Sequence, residues 1–175
     1  MILHFFNEFV NCLSILFLYL PKLLLKEIKM FKNDINLDAI NEVYRNANVA
    51  LLSISNIIDE FEDGSLKKEL SSEYEGYEKL IGEISAFMLE KGYEKKEVGA
   101  MKKLMMASAI KMNTAFDTSQ NHIAELMIKG TVMGITELCT LINNSKVVTD
   151  KEIIEYAKKL KELEEGYEQK LKKFL

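Results

Sequence analysis

The chain of 175 residues has one proline, two cysteines and two histidines. Cys12 and Cys139 stand in different segments without metal-type spacing, which excludes a disulfide framework and points to a reducing compartment. A basic excess is also missing. The formal net charge is −4, and acids and bases are interleaved along the chain, which argues against a nucleic-acid partner and for solvated helix faces. No stretch alternates apolar and polar residues with period two, so no sheet is expected. The sequence shows no nucleophile paired with a base, no glycine-rich phosphate loop and no patch of mixed aromatic and basic residues.

What is present is helical patterning. Hydrophobic residues make up 48% and charged residues 29%, the composition of a helical globular protein of one domain. The run from Thr118 to Ile142 is the central helix, with two adjacent apolar rows. Ile123, Met127, Gly130, Gly134, Leu138 and Leu141 form one; Ala124, Ile128, Thr131, Ile135 and Ile142 form the other. A stripe this wide needs several covering helices. Asp117 with Gln120 has the pattern of a capping box at its start.

From Asn36, a helix carries Ile40, Tyr44, Ala47, Leu51, Ile54, Ile58 and Phe61 in alternating steps of four and three. Gly64 is its expected stop and Ser65 the next N-cap. The following helix, Leu66 to Lys91, is expected to bury Leu66, Leu70, Tyr74, Tyr77, Ile81, Ile84 and Met88, with Gly92 ending it. A shorter helix from about Lys95 to Ala115 carries Val98, Met101, Met105, Ala109, Met112 and Phe116. The last helix is expected to start at a Thr149–Glu152 capping box and run to about Lys173. Its inward face reads Ile153, Tyr156, Leu160, Leu163, Tyr167, Leu171 and Phe174.

Residues 1–29 differ from the rest. Phe9 to Leu25 is apolar apart from Asn11, Ser14 and Lys22, with Pro21 interrupting it. Three readings compete. A spanning helix needs about 20 apolar residues, which this run reaches only by including polar ones. The second reading is a start codon placed too early. Codons for Lys26-Glu27 form a purine run at a workable distance before Met30, so that a bacterial chain would begin there. An amphipathic or core helix is the third. A secretory signal is excluded, because no basic residue precedes the apolar run. The domain reading is therefore an apolar leader over 1–29 and a helical bundle over 30–175.

The chain also repeats itself. VALLSISNIIDE from Val49 matches MGITELCTLINN from Met133, and the EGYE at Glu75–Glu78 returns at Glu165–Glu168. Two duplicated αα-hairpins joined by a crossover containing a short helix give an all-α four-helix bundle, and one long crossover between hairpins is the ferritin-like topology. With HIAELMIKGTVMGI, the stretch from Asn36 to Leu175 resembles the ferritin-like superfamily, in particular small uncharacterised bacterial proteins of that kind. The resemblance implies a fold and no activity.

Di-iron members of that superfamily need a Glu on each of two helices and Glu-x-x-His on the other two. After Met30 the sole histidine is His122, and Glu75-x-x-Glu78 and Glu165-x-x-Glu168 contain none. Glu137 lies at the edge of the central apolar face, and its repeat partner is Ser53. His122 and Glu125 share a helix face and are the candidate metal ligands. Two ligands do not close a tetrahedral site, and Glu125 can pair with Lys129 instead. Gly130 and Gly134 point to close approach of a neighbouring helix; Tyr77 and Tyr167 read as bundle packing with hydroxyls at the rim. Met101, Met105, Met106, Met112, Met127 and Met133 read as adaptable core or as a partner-binding groove.

The function read from the residues is a non-catalytic, cytoplasmic helical bundle acting by protein contact, as a homo-oligomer or with a helical partner, without cofactor or nucleic acid. The alternatives are a metal-binding ferritin-like protein using His122 and a bundle anchored to a membrane through residues 9–25.

Overall fold

The computed structural model describes residues 2–58, 64–100, 103, 107, 110, 111, 117 and 119–175, with side chains described from residue 22 onward except 23 and 145. It is all-α, with four long helices and no strand among the described residues. These are α1 (Ile2–Ile57), α2 (Ser65–Lys91), α3 (Gln120–Asn143) and α4 (Lys151–Leu171), with short 3-10 turns at Ser145–Val147 and Lys172–Phe174. Among the described residues no helix is long and apolar enough to cross a membrane.

The chain divides into two compact units, Met1–Ile35 and Asn36–Leu175. In the first, α1 begins far upstream of the Asn36 expected from the periodicity. Residues 22–35 contain Leu, Lys, Glu and Met and no glycine or proline, so nothing stops a helix there. Leu24, Leu25, Ile28 and Phe31 are exposed on it.

The second unit is the bundle. Its core is built from Ile40, Val43, Ala47, Ile54 and Ile57 of α1, Leu66, Leu70, Leu80, Ile84 and Met88 of α2, Ile123, Met127 and Leu138 of α3, and Ile153, Leu160 and Leu171 of α4. Three asparagines on α1 tie it to its neighbours. Asn36 accepts from the Thr149 and Asp150 amides at 2.9 and 3.3 Å and donates to Thr149 Oγ1 at 3.0 Å. Asn41, fully buried, accepts from Lys96 N at 2.6 Å and donates to Glu94 O at 2.9 Å. Asn46 donates to Gly134 O at 3.1 Å.

These ties and the inter-helix ion pairs set the directions. Lys91 at the end of α2 meets Asp150 and Glu152 at the start of α4, and Lys170 near the end of α4 meets Glu69 near the start of α2, so α2 and α4 are antiparallel. A Cβ on Gly64 would sit 3.6 Å from Gln120 Nε2, so α2 and α3 start at the same end. The end of α2 and the start of α3 therefore lie at opposite ends of the bundle, roughly 40 Å apart for a helix the length of α2.

The helix ends differ in detail from expectation. Gly64 is the N-cap of α2 rather than the stop of α1, and Ser65 is the first helical residue. Gly92 does end α2, at φ 69°, with Tyr93 N donating to Met88 O at 2.8 Å, a left-handed terminus that glycine adopts without strain. Ser119 caps α3 by accepting from His122 N, and Asp117 instead accepts from Ser119 N at 2.7 Å. Asp150 caps α4, since Thr149 is already held by Asn36. Residues 93–99 are not helical, so the short helix starts after the expected Lys95. Val98 is buried, as is Ile110, which the expected stripe did not include. Phe61, Met101, Met105, Met106, Ala109, Met112 and Phe116 lie outside the described residues.

Candidate functional site

Between the four helices lies a cavity of about 820 Å³. Its walls are apolar for the most part, but four helices each send a polar group to it: Asn46 from α1, Glu73 and Tyr77 from α2, Glu137 from α3 and Glu164 from α4. Glu73 and Glu164 are the unexpected members. Each is 1% exposed, and each occupies a place in its helix seam that an apolar residue would normally fill.

The seam explains how they come to be inside. Along α2 the buried positions Leu66, Leu70, Glu73, Tyr77, Leu80, Ile84 and Phe87 step by four and three, with Met88 buried beside the last of them. Along α4 the same rhythm gives Ile153, Ala157, Leu160, Glu164, Tyr167 and Leu171. The apolar stripes expected from the sequence include Tyr74, Ile81, Tyr156 and Leu163, which are half-buried. The rhythm itself was the available signal, because a carboxylate that falls in register with a heptad seam must enter the core whatever its polarity.

Burial sets the chemistry of the two acids. Loss of hydration, helped by the nearby Glu69 charge and opposed by Lys170, pushes the Glu73 carboxyl up to about 8. Loss of hydration and the Glu137 charge push Glu164 up to about 8, against the lowering effect of its hydrogen bond with the Tyr77 hydroxyl. Both are therefore neutral acids at pH 7, able to donate as well as accept. Among the described residues, Glu73 Oε1 and Glu164 Oε2 find no hydrogen-bond partner. Glu42 at the cavity wall is also raised, by partial burial and by Glu137, with Arg45 acting the other way.

Tyr77 sits between the acids. Its ring meets Tyr167 at 5.4 Å between centroids and a tilt of 55°. It is 1% exposed, so its hydroxyl points inward to Glu164 and not to the rim as expected. The two tyrosines are repeat partners, yet their glycine neighbours are not equivalent. A Cβ on Gly76 would overlap the Tyr167 hydroxyl and lie 3.1 Å from its Cζ, whereas one on Gly166 would meet nothing. Gly134 closes the other side. A Cβ there would lie 2.7 Å from Glu164 Oε2 and 3.0 Å from Asn46 Oδ1, so the missing side chain is what lets α1 and α4 bring their polar groups together. At Gly130 a Cβ would meet nothing within 4 Å.

The expected metal ligands are elsewhere. Glu125 is exposed and bonded to Lys129 at 2.6 Å, which holds its carboxyl below the usual range. His122 is half-buried at the first turn of α3, with Nε2 buried and without a partner among the described residues. Among the described residues no group of three His, Cys, Asp or Glu is placed to hold a metal ion. Of the methionines, Met127 is buried and Met133 is exposed beside the cavity.

Comparison with family models, with curated proteins and with solved structures finds no match.

Proposed function

We propose that this is a non-catalytic helical bundle that holds a small, largely apolar molecule between its helices. The cavity supports this most directly, because its volume of about 820 Å³ falls in the range of ligand pockets and its apolar walls carry a few convergent polar groups. The two buried acids support it further. Replacing buried ionisable groups by well-packed apolar residues is often neutral or stabilising. Glu73 and Glu164 thus stand where stability alone gives no reason for them.

The test is binding of the neutral fluorophore N-phenyl-1-naphthylamine. Saturable one-to-one enhancement is expected. Gly130→Phe, which adds a ring at the cavity wall where nothing obstructs it, is expected to weaken binding at least tenfold with helicity unchanged. Absence of saturable binding to the native chain refutes the reading.

A second reading, action by protein contact, is favoured by Leu24, Leu25, Ile28 and Phe31, which expose apolar surface along one stretch of α1. A second copy or a helical partner is the occupant in this reading, and native mass by light scattering tests it. We take the bundle as ferritin-like in topology and cytoplasmic in location. The hairpin, return segment and hairpin support the first, and the free Cys139 agrees with the second. Metal binding through His122 has less support, because Glu125 is engaged by Lys129.

A further inference from the structure

We infer that the cavity takes an organic cation, an amine carried on an apolar chain or ring, with its ammonium group seated among Glu73, Tyr77 and Glu164. This deepens the ligand-binding reading and rests on it.

Two observations lead there independently. The first is the pair of unsatisfied oxygens. Glu73 Oε1 and Glu164 Oε2 belong to side chains that are 1% exposed and line the cavity, and neither has a hydrogen-bond partner among the described residues. Buried polar atoms are nearly always paired, so a missing partner is expected at both, and once either acid gives up its proton that partner must be a donor. An ammonium group carries three donors and no acceptor, which matches acceptor oxygens better than a hydroxyl or a carboxylate does.

The second is the balance of acidic against basic side chains on the walls. Glu42, Glu73, Glu97, Glu137 and Glu164 line the cavity, against Arg45 and Lys129. Lys129 is bonded to Glu125 at 2.6 Å, and Arg45 is exposed, with its Nε donating to Asn41 O at 3.2 Å. Among the described residues of the lining, acidic side chains thus outnumber basic ones, which favours a cation over an anion. Tyr77 adds an aromatic ring, a further attraction for an ammonium group once water is excluded. The apolar remainder of the walls accepts the chain or ring that carries the charge.

Binding moves a proton. The neutral Glu164 acid and an alkylammonium ion give a carboxylate–ammonium pair, and the displaced proton goes to solvent. The groups facing Glu164 are Tyr77 on α2 and Glu137 on α3; those facing Glu73 are Glu69 and Tyr77 on α2 and Lys170 and Tyr167 on α4. Since the acids sit near 8, cation affinity is expected to rise about tenfold for each unit by which pH rises towards that value, and to level off above it.

The experiment compares hexylamine with 1-hexanol as displacers of N-phenyl-1-naphthylamine from the full chain. Calorimetry of hexylamine at pH 6.5 in two buffers of different ionisation enthalpy counts protons. Hexylamine is expected to bind at least tenfold more tightly than hexanol and to release about one proton. Glu164→Gln is expected to abolish the preference and the release while keeping hexanol binding. Equal binding of amine and alcohol, or amine binding without proton release in the native chain, overturns the cation inference and leaves the ligand-binding reading standing. Failure of the fluorophore, the amine and the alcohol alike overturns both. Displacement of the amine by one equivalent of Mn²⁺ would assign the acids to a metal and also overturn the inference.

Discussion

Replacing Glu164 by glutamine removes a proton-binding group from the core and keeps an acceptor for the Tyr77 hydroxyl. In the folded chain burial holds this acid near 8, whereas in the unfolded chain a glutamate titrates near about 4.3. Between those values the folded state carries a proton that the unfolded state has lost. Stability from this group is therefore complete below about 4.3 and falls as pH rises towards 8, by about 1.4 kcal/mol per pH unit. Glu73 behaves in the same way, with the same sign. Between about pH 5.5 and 6.5 the native chain is expected to lose about 2.7 kcal/mol from the two acids, Glu164→Gln about 1.4 kcal/mol, and the double variant with Glu73→Gln close to none. Glu42, also raised, adds a common background that cancels in the comparison. Asp117 and Glu125 are shifted downwards, so their contribution is lost only as pH falls below the carboxylate range, outside this window. Urea unfolding at three pH values reads the difference. With a slope of about 1–3 kcal/mol per molar, the midpoints separate by about half a molar or more. Parallel losses in the native chain and Glu164→Gln would mean that the acid is not protonated in the folded state, and the reasoning would fail.

Other expectations follow from close approaches. Gly134→Leu drives a side chain into Glu164 and Asn46 and is expected to destabilise the fold by several kcal/mol, beyond the ~1 kcal/mol typical of a point change; a near-neutral urea midpoint would contradict it. Gly76→Ala collides with the Tyr167 hydroxyl and is expected to cost about 1–3 kcal/mol, and to cost less in a Tyr167→Phe background. Gly166→Ala, with open space around it, is expected to be neutral or to stabilise by up to about 1 kcal/mol. A chain starting at Met30 is expected to keep the cooperative melt of the full chain, since the described core begins after it; aggregation or loss of cooperativity would show that the first 29 residues belong to the core.

The helices were readable because their apolar residues recur at steps of three and four, and the Gly92 stop because its role is local. What escaped was polar. Glu73 and Glu164 fall in register with their seams, but a reading that admits only apolar residues passes over them to Tyr74 and Leu163. Asn36, Asn41 and Asn46 were missed for a related reason. Their partners lie in other segments, and a pattern within one helix carries no trace of them. The caps slipped by one or two residues because neighbouring Ser, Thr and Asp side chains compete for the same amides. Asp150 caps α4 once Asn36 has taken Thr149, a choice that only the folded chain makes. His122 and Glu125 are related by spacing along α3 alone, whereas the cavity draws its groups from four helices at once.

The ion pairs along α2 and α4 have a consequence for assembly. Glu69 faces Lys170, Glu83 faces Lys159, and Lys91 faces Asp150 and Glu152. Each exposed pair adds little to stability. Their order matters more. Turning α4 end for end would set Lys91 against Lys170 and Glu69 against Asp150 and Glu152, like against like. The same ladder is indifferent to which chain supplies α4. Two copies that exchange their α3–α4 hairpins keep every opposite pair, so the charges that reject a reversed hairpin admit a borrowed one. Dimers formed by refolding at high concentration are thus expected to be exchanged rather than reversed.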